Sequence, residues 1–578
     1  MFLDCPQILL RFSSPLIHPL LTMNFPQFLL TLLASRSPWL PRLHRLCLRP
    51  SLPLLASLLV AGAWSSSFAA ERFVSPTTGN DSNAGTIRAP WKTFQKAANT
   101  AKAGDIVHLR GGTYVERVQI NVSGTAAAPI VFRNYEGERP VMDLSTLTPG
   151  SGLTAAIRIT GRNYVTIRGI EICNYRTSSE NAVPAGIMVT GACKGIRLQQ
   201  NVIHHIEQNN TELYNFDANA HGIAVYGDSA TAIDGLVVSL NELHSLKLGA
   251  SEALVLNGNV TNFQVCNNHI HHANNIGIDA IGYEGTCPTA SLDRARNGLI
   301  AGNKVWAIDS SKNPAYGGSE ANGGGWRAAA GIYVDGGTQI MIERNEVWQC
   351  NFGVELASEH AHGFTDYITV RNNLLRHNDG AGIIMGGYDE QRGVTQHCVV
   401  TNNTLYRNDM QDGWAGQIHF QFYVKNNTFR NNILWANPNT QQMIIHYPGS
   451  DTASAAQKEF GSGNVFSHNL YYVVGGTAAT MNFEMFVNGQ QRHFDGMSAW
   501  IATNKVGGDV GSTYGNPKFA GGVPEITASA SHFCISRGSP AINTGAPSAS
   551  FAVSASQRDI FGGVRVKSAR IDRGADEF

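Results

Sequence analysis

One unit recurs along this chain and restricts its fold more than any other feature: an asparagine flanked on both sides by short β-rich triplets. It is seen at Asn201-Val-Ile-His204, Asn241-Glu-Leu-His244, Asn268-His-Ile-His271 and Asn303-Lys-Val-Trp306. It returns at Asn345-Glu-Val-Trp348, Asn373-Leu-Leu-Arg376, Asn403-Thr-Leu-Tyr406 and Asn432-Ile-Leu-Trp435. The interval runs from 27 to 42 residues, the signature of a repeat architecture and not of separate domains. Each unit carries a further strand of form Gly-Ile-x-Val, as in Gly186-Ile-Met-Val189, Gly222-Ile-Ala-Val225, Gly331-Ile-Tyr-Val334 and Gly382-Ile-Ile-Met385.

Three short strands per coil, each alternating inward and outward, bury one apolar column per strand. A propeller blade needs four strands, and a leucine-rich repeat needs a more regular leucine frame. The expected class is therefore all-β, a right-handed parallel β-helix. Asparagine is expected to take the left-handed turn conformation and to bond its stacked copies in a buried ladder. Residues 91–101 are expected to form a short helix with Trp91, Phe94, Ala97 and Ala98 inward, capping the N-terminal end. The coil-to-coil variation in length leaves insertions at 283–298 and 309–329.

The first 70 residues differ from the rest. Arg36, Arg42, Arg45 and Arg49 precede an apolar run from Leu52 to Trp64, then Ser65-Ser-Ser-Phe-Ala-Ala70. This reads as an export signal cut after Ala69, with an apolar core shorter than the ~20 residues that span a bilayer. Residues 1–22 fit no such signal, which makes Met23 a candidate start. The expected divisions are a leader at 1–70, a cap and first coils at 71–150, a β-helix core at 151–475, and C-terminal coils with a terminal module at 476–578. The expected product is a secreted, periplasmic or cell-surface monomer with no integral membrane segment once the signal is removed. With 15% charged residues and zero formal net charge, nothing favours nucleic acid or an anionic membrane as partner. Beyond the leader stand seven cysteines, Cys173, Cys193, Cys266, Cys287, Cys350, Cys398 and Cys534. They show no metal-ligand spacing and are expected mainly as small buried residues, with room for one or two disulfides.

On the Gly-Ile-x-Val strand, position x points outward. Read coil by coil, it holds Met188, Ala224, Val255, Asp279, Tyr333, Glu355 and Ile384. The next outward position holds Tyr226, Asn257, Asp335 and Ala357, with Glu359 and Asp389 on the loops beyond. Neighbouring coils lie ~4.8 Å apart, so Asp335 and Glu355 are expected roughly 8 Å apart at Cα. Their carboxyls then fall within the ~5–9.5 Å used by retaining or inverting glycosidases. Asp335, Glu355, Glu359 and Asp279 are the candidate catalytic residues. Tyr333, Tyr226, His221, Trp326, Tyr388 and Asp389 are the candidate substrate contacts. The partner expected is a polysaccharide or oligosaccharide, and hydrolysis of this kind requires no cofactor.

The same acids suit a rival chemistry. Asp279, Asp335 and Glu355 are candidate Ca²⁺ ligands for a lyase acting on a uronate glycan such as pectate. Lys247, Lys304 and Arg327 are then the candidate bases. A non-catalytic adhesin or glycan-binding β-helix is the reading from another class. A second outward stripe, His204, His244, His271, Trp306, Trp348, Arg376, Tyr406 and Trp435, lies on a different strand and is read first as stacking between coils.

Several segments carry a resemblance. Phe73-Val-Ser-Pro76, Pro90-Trp-Lys-Thr-Phe-Gln-Lys96, Ala103-Gly-Asp-Ile106 and Arg110-Gly-Gly-Thr-Tyr114 resemble the start of many exported members of the pectin-lyase-like superfamily. That superfamily comprises right-handed β-helix polysaccharide lyases and glycosidases. The string from Gly331 to Glu359 is similar to strand segments of β-helix xylosidase-type glycosidases, which implies an Asp/Glu catalytic pair. The chain lacks the dense Asp-Asp pairs of calcium-dependent pectate lyases of this fold. Gly538-Ser-Pro-Ala-Ile-Asn543, Arg558-Asp-Ile-Phe-Gly562 and Ile571-Asp-Arg-Gly-Ala-Asp-Glu577 resemble the terminal module of bacterial surface β-helix proteins.

Overall fold

The computed structural model describes residues 70–578 except 412, 448–462, 488–489, 504–506 and 548–556. The expected leader lies outside the described residues. The described chain winds into a right-handed solenoid of three sheets, two of 13 strands and one of 18, in which strands of successive coils pair in parallel. One pairing runs the other way: Asn482–Val487 folds back antiparallel on Gln490–Asp495, late in the chain.

The register follows from the apolar alternation. In one 13-stranded sheet the inward column runs Ile187, Ile223, Leu254, Ile278, Ile332, Val354 and Ile383, each paired to the next and each fully buried. A one-residue slip would turn this whole column to solvent, so burial fixes the pairing. A glycine precedes the inward residue in every one of these strands except that of Leu254, where Ala253 stands, and close approach requires it. A Cβ on Gly277 would sit 2.5 Å from the Gly331 carbonyl oxygen and 2.9 Å from the Val305 side chain.

The ladder forms as expected. Asn201, Asn241, Asn268, Asn303, Asn345, Asn373, Asn403 and Asn432 each pass an Nδ2–H to the next Oδ1 at 2.9–3.1 Å, the last to Asn469. The second Nδ2–H goes to a backbone carbonyl, as from Asn303 to Val265, so these buried amides are satisfied. The left-handed turn residue is not the ladder asparagine itself. It is the residue before it: Gln200, Leu240, Asn267, Gly302, Arg344, Asn372, Asn402, Asn431 and His468 all have positive φ. The kink thus aims the following side chain into the turn, where the amide row closes the corner.

The capping helix spans Phe94–Thr100, shorter than expected. Thr93 caps it, and Phe94, Ala97 and Ala98 face inward. Trp91 is also buried, just before it. At the other end, a segment from 515 to 547 lies against the second 13-stranded sheet. Phe519, Phe533, Ile535 and Ala541 pack on Leu374, Tyr406, Ile433, Trp435 and Leu470. Arg376 donates to the Ile526 carbonyl at 2.7 Å and Tyr406 to the Pro524 carbonyl at 2.9 Å. The fully buried Arg565 guanidinium is held by the carbonyls of Asp572, Gly574 and Asp576. All seven described cysteines are free thiols, so none of the disulfides allowed by the sequence is formed among them. No helix of the described residues is long and apolar enough to cross a membrane.

Candidate active site

The outward column of the Gly-Ile-x-Val sheet has the expected register. Met188, Ala224, Val255, Asp279, Tyr333, Glu355 and Ile384 are paired in that order, with Tyr226 beside Asn257 and Asp335 beside Ala357. What the pattern did not give is burial. Asp279, Tyr333 and Asp335 are 2%, 3% and 4% exposed, because the insertions fold over them. Tyr316, from the 309–329 insertion, accepts from Asn275 Nδ2 at 3.2 Å, and its phenol is pushed upward by burial and by the Glu359, Glu252 and Glu355 charges.

Six carboxylates gather here, five of them buried or half-buried and Glu284 exposed. Asp335 Oδ1 accepts from the Glu359 N–H at 2.7 Å, and the Tyr333 hydroxyl donates to Glu359 Oε1 at 3.3 Å. Glu284, on the 283–298 insertion, accepts from Asn257 Nδ2 at 2.6 Å and lies 3.8 Å from His360 Nε2. One oxygen each of Glu284 and Asp335 and one ring nitrogen of His360 all lie within 4.8 Å of one another. Glu252 approaches His221 Nδ1 at 3.6 Å, and His221 Nε2 meets the Tyr226 hydroxyl at 3.3 Å. Asp279 Oδ1 is buried with no hydrogen-bond partner.

The titration directions divide the acids. Burial, then the Glu252 and Asp335 charges, drives Asp279 well above the usual carboxylate range. Burial and the Glu359 charge do the same to Asp335 and to Glu355. Glu359 is raised by burial despite the Arg392 charge, and Glu252 is pushed up to about 8 by burial and Glu284. Glu284 goes the other way. Burial works to raise it, but the bonds from His360 and Asn257 outweigh that and hold it below its ordinary value. The site thus combines carboxyls whose surroundings favour the neutral form with one whose surroundings favour the ionised form.

The remaining candidates occupy the rim or lie apart. Asp389 Oδ2 accepts from Arg392 Nε at 3.1 Å, and Arg392 Nη1 donates to the Glu359 carbonyl at 2.8 Å. The Arg392 guanidinium also lies over the Tyr388 ring at 4.3 Å. Trp326 is 40% exposed and packs against Tyr214, with ring centroids 5.5 Å apart, so it forms a wall and not an acid contact. Lys304 is misplaced for a base, since its strand belongs to the other 13-stranded sheet. Lys247 pairs with Glu320 at 3.0 Å and Arg327 with Asp379 at 3.5 Å. Sequence reasoning missed Glu252, Glu284 and His360, which come from loops where no period marks a side chain's direction.

The fold and this row of outward acids define a member of the pectin-lyase-like superfamily of right-handed parallel β-helix proteins. A profile of Pel9A-like right-handed β-helix regions matches residues 72–237, and one of right-handed β-helix regions matches 330–520. Within the superfamily, the chain belongs to the family of the protein YwoF of Bacillus subtilis. The two are 35% identical over 447 residues, 77% of this chain and 88% of YwoF. A shorter match, 49% identical over 85 residues, covers 14% of this chain and 20% of pectate lyase PEL9 of Emericella nidulans. Among solved structures, pectate lyase Pel9A is 17% identical with a TM-score of 0.39, covering 88% of this chain and 96% of that one.

Proposed function

We propose that this protein is an exported carbohydrate-active enzyme that hydrolyses glycosidic bonds in a polysaccharide or oligosaccharide, with Asp335 as general acid and Glu284 as its ionised partner. One observation carries this reading: two carboxylate oxygens within 4.8 Å whose environments push their protonation in opposite directions. Carboxyls held apart in this way take the acid and base roles of glycoside cleavage. Their closeness is nearer the ~5–5.5 Å of retaining enzymes than the ~6.5–9.5 Å of inverting ones, so Glu284 serves as nucleophile. Glu355 and Glu359, like Asp335, favour the neutral form. The Glu359 backbone N–H holds Asp335 in place, burial keeps the Asp335 carboxyl neutral, and Tyr333 is positioned through Glu359. Tyr226, His221, Tyr388 and Asp389 line or brace the same depression.

A second reading rests on the unpartnered Asp279 Oδ1 in a pocket where acids outnumber cations. An oxygen-rich set of this kind fits Ca²⁺, and Asp279, Asp335, Glu284 and Glu355 would hold it. A bound cation would acidify the proton α to a uronate carboxylate, the chemistry of a lyase. None of the three bases expected from the sequence serves this reading, because Lys247 and Arg327 are engaged elsewhere and Lys304 lies on the other sheet.

The test is to incubate the protein with plant and algal polysaccharides and follow reducing ends and unsaturated uronates, with and without chelator. Hydrolysis predicts reducing ends alone, insensitive to chelator, with a loss of about 10²–10⁴-fold in Asp335→Asn and in Glu284→Gln. Chelator-sensitive unsaturated products would replace it with the lyase reading. Full activity in Asp335→Asn would remove both.

A further inference from the structure

The second 13-stranded sheet carries a feature that the acidic site does not use. His204, His244 and His271 stand in register on three successive coils, their rings stacked at 4.9 and 5.2 Å. In a regular strand the next residue would point to the opposite face. Here it does not, because His205, Ser245 and His272 have φ of 51°, 53° and 52°. The left-handed residue swings its side chain back beside the ring before it.

The result is the same pair built twice. His204 Nδ1 meets His205 Nδ1 at 2.6 Å, and His271 Nδ1 meets His272 Nδ1 at 2.7 Å. In both, the ring centroids lie 4.9 Å apart at an interplanar angle of 81°. In both, the far nitrogen of the first ring faces a carboxylate: His204 Nε2 to Glu171 Oε1 at 3.1 Å, and His271 Nε2 to Glu242 Oε1 at 3.3 Å. A carboxylate accepting from Nε2–H leaves the first ring's Nδ1 an acceptor, so each short contact is a hydrogen bond from the second ring's Nδ1–H, and a bound ion would displace that proton. In the coil between, Ser245 replaces the second ring, and His244 Nδ1 meets its hydroxyl at 3.1 Å.

We propose that His204 with His205, and His271 with His272, are two imidazole clips for late first-row divalent cations such as Zn²⁺ or Cu²⁺, oriented by Glu171 and Glu242. Carboxylate-oriented imidazole is the common ligand arrangement for such ions. Paired nitrogens select them over Ca²⁺ and Mg²⁺, which take oxygen. Two ligands with bonds of ~2.0–2.1 Å set their nitrogens about 2.9 Å apart at the right angle of a square-planar Cu²⁺ site and about 3.3 Å apart at the tetrahedral angle of Zn²⁺, so each pair opens by about 0.2–0.7 Å. The clips are reachable: the His204 and His271 side chains are 16% and 14% exposed, and His272 is exposed. Water completes the coordination.

The experiment titrates untagged, chelator-stripped protein with Zn²⁺ by calorimetry and with Cu²⁺ by electron paramagnetic resonance. The clips predict two equivalents that excess Ca²⁺ does not displace, with nitrogen coupling on copper. His205→Asn and His272→Asn each lose one equivalent and the double variant loses both; asparagine tolerates the left-handed backbone, so circular dichroism stays unchanged. Ser245→His completes the middle pair and raises the count to three. An unchanged stoichiometry in both the double variant and Ser245→His would overturn the assignment, as would copper spectra without nitrogen coupling.

Discussion

Glu252 sits outside the strand pattern, yet its carboxyl meets His221 and is pushed up to about 8 by burial and by Glu284. A carboxyl raised in the fold binds a proton that the unfolded chain releases near its ordinary value of 4.5. Between those pH values the folded state holds more protons, so stability is full below about 4.5 and falls as pH rises toward about 8. Glu252→Gln is expected to flatten the decline in melting temperature over that window, and an unchanged pH profile would contradict the assignment. The same directions bear on the proposed hydrolysis, in which Asp335 acts protonated and Glu284 ionised. Activity should fall on the acid side as Glu284 protonates and on the alkaline side as Asp335 ionises, giving a bell that Glu284→Gln cannot reproduce.

At the level of strands and turns, much was legible in the sequence. The column Asp279, Tyr333, Glu355 followed from the two-residue alternation of a strand whose inward side is aliphatic, and Asp335 from one step further along. Burial of that column was not legible, because it comes from insertions that carry no period. Nor was the turn conformation: the repeat marks the asparagine, whereas the left-handed φ belongs to variable residues such as Leu240 and Arg344, whose identity carries no signal. The stripe on the other sheet did follow from spacing. Trp306 and Trp348 stack face to face at 4.9 Å, with the Arg376 guanidinium 4.8 Å from the Trp348 ring. With both faces of Trp348 taken, the ring is packing between coils and no sugar platform. Asn303→Ala tests the ladder. It leaves the Asn268 N–H and the Val265 carbonyl without their partner, and should cost at least ~1–3 kcal/mol in denaturant unfolding. A loss well under that range would mean water replaces the amide.

The whole molecule depends on how its last coils are covered. Tyr406 and Trp435 belong to the outward stripe, yet both are fully buried where Phe519, Phe533, Ile535 and Ala541 of the C-terminal segment pack on them. Deleting that segment should leave the solenoid's sheet signal but expose Leu374, Tyr406, Ile433, Trp435 and Leu470 as one apolar patch. Binding of an environment-sensitive dye is expected to rise sharply, and a truncated chain with unchanged dye binding would show the cover to be dispensable. The amide ladder has a different kind of consequence. Its rungs are separated by anything from 27 to 42 residues, yet the bond between them stays at 2.9–3.1 Å. Length gained in a loop therefore never reaches the spacing of the coils. The scaffold works as a ruler with fixed graduations: a side chain shifts along the axis only by whole coils, while the walls above it are free to be redrawn. New specificity can thus be written into the insertions without moving the carboxylates beneath them.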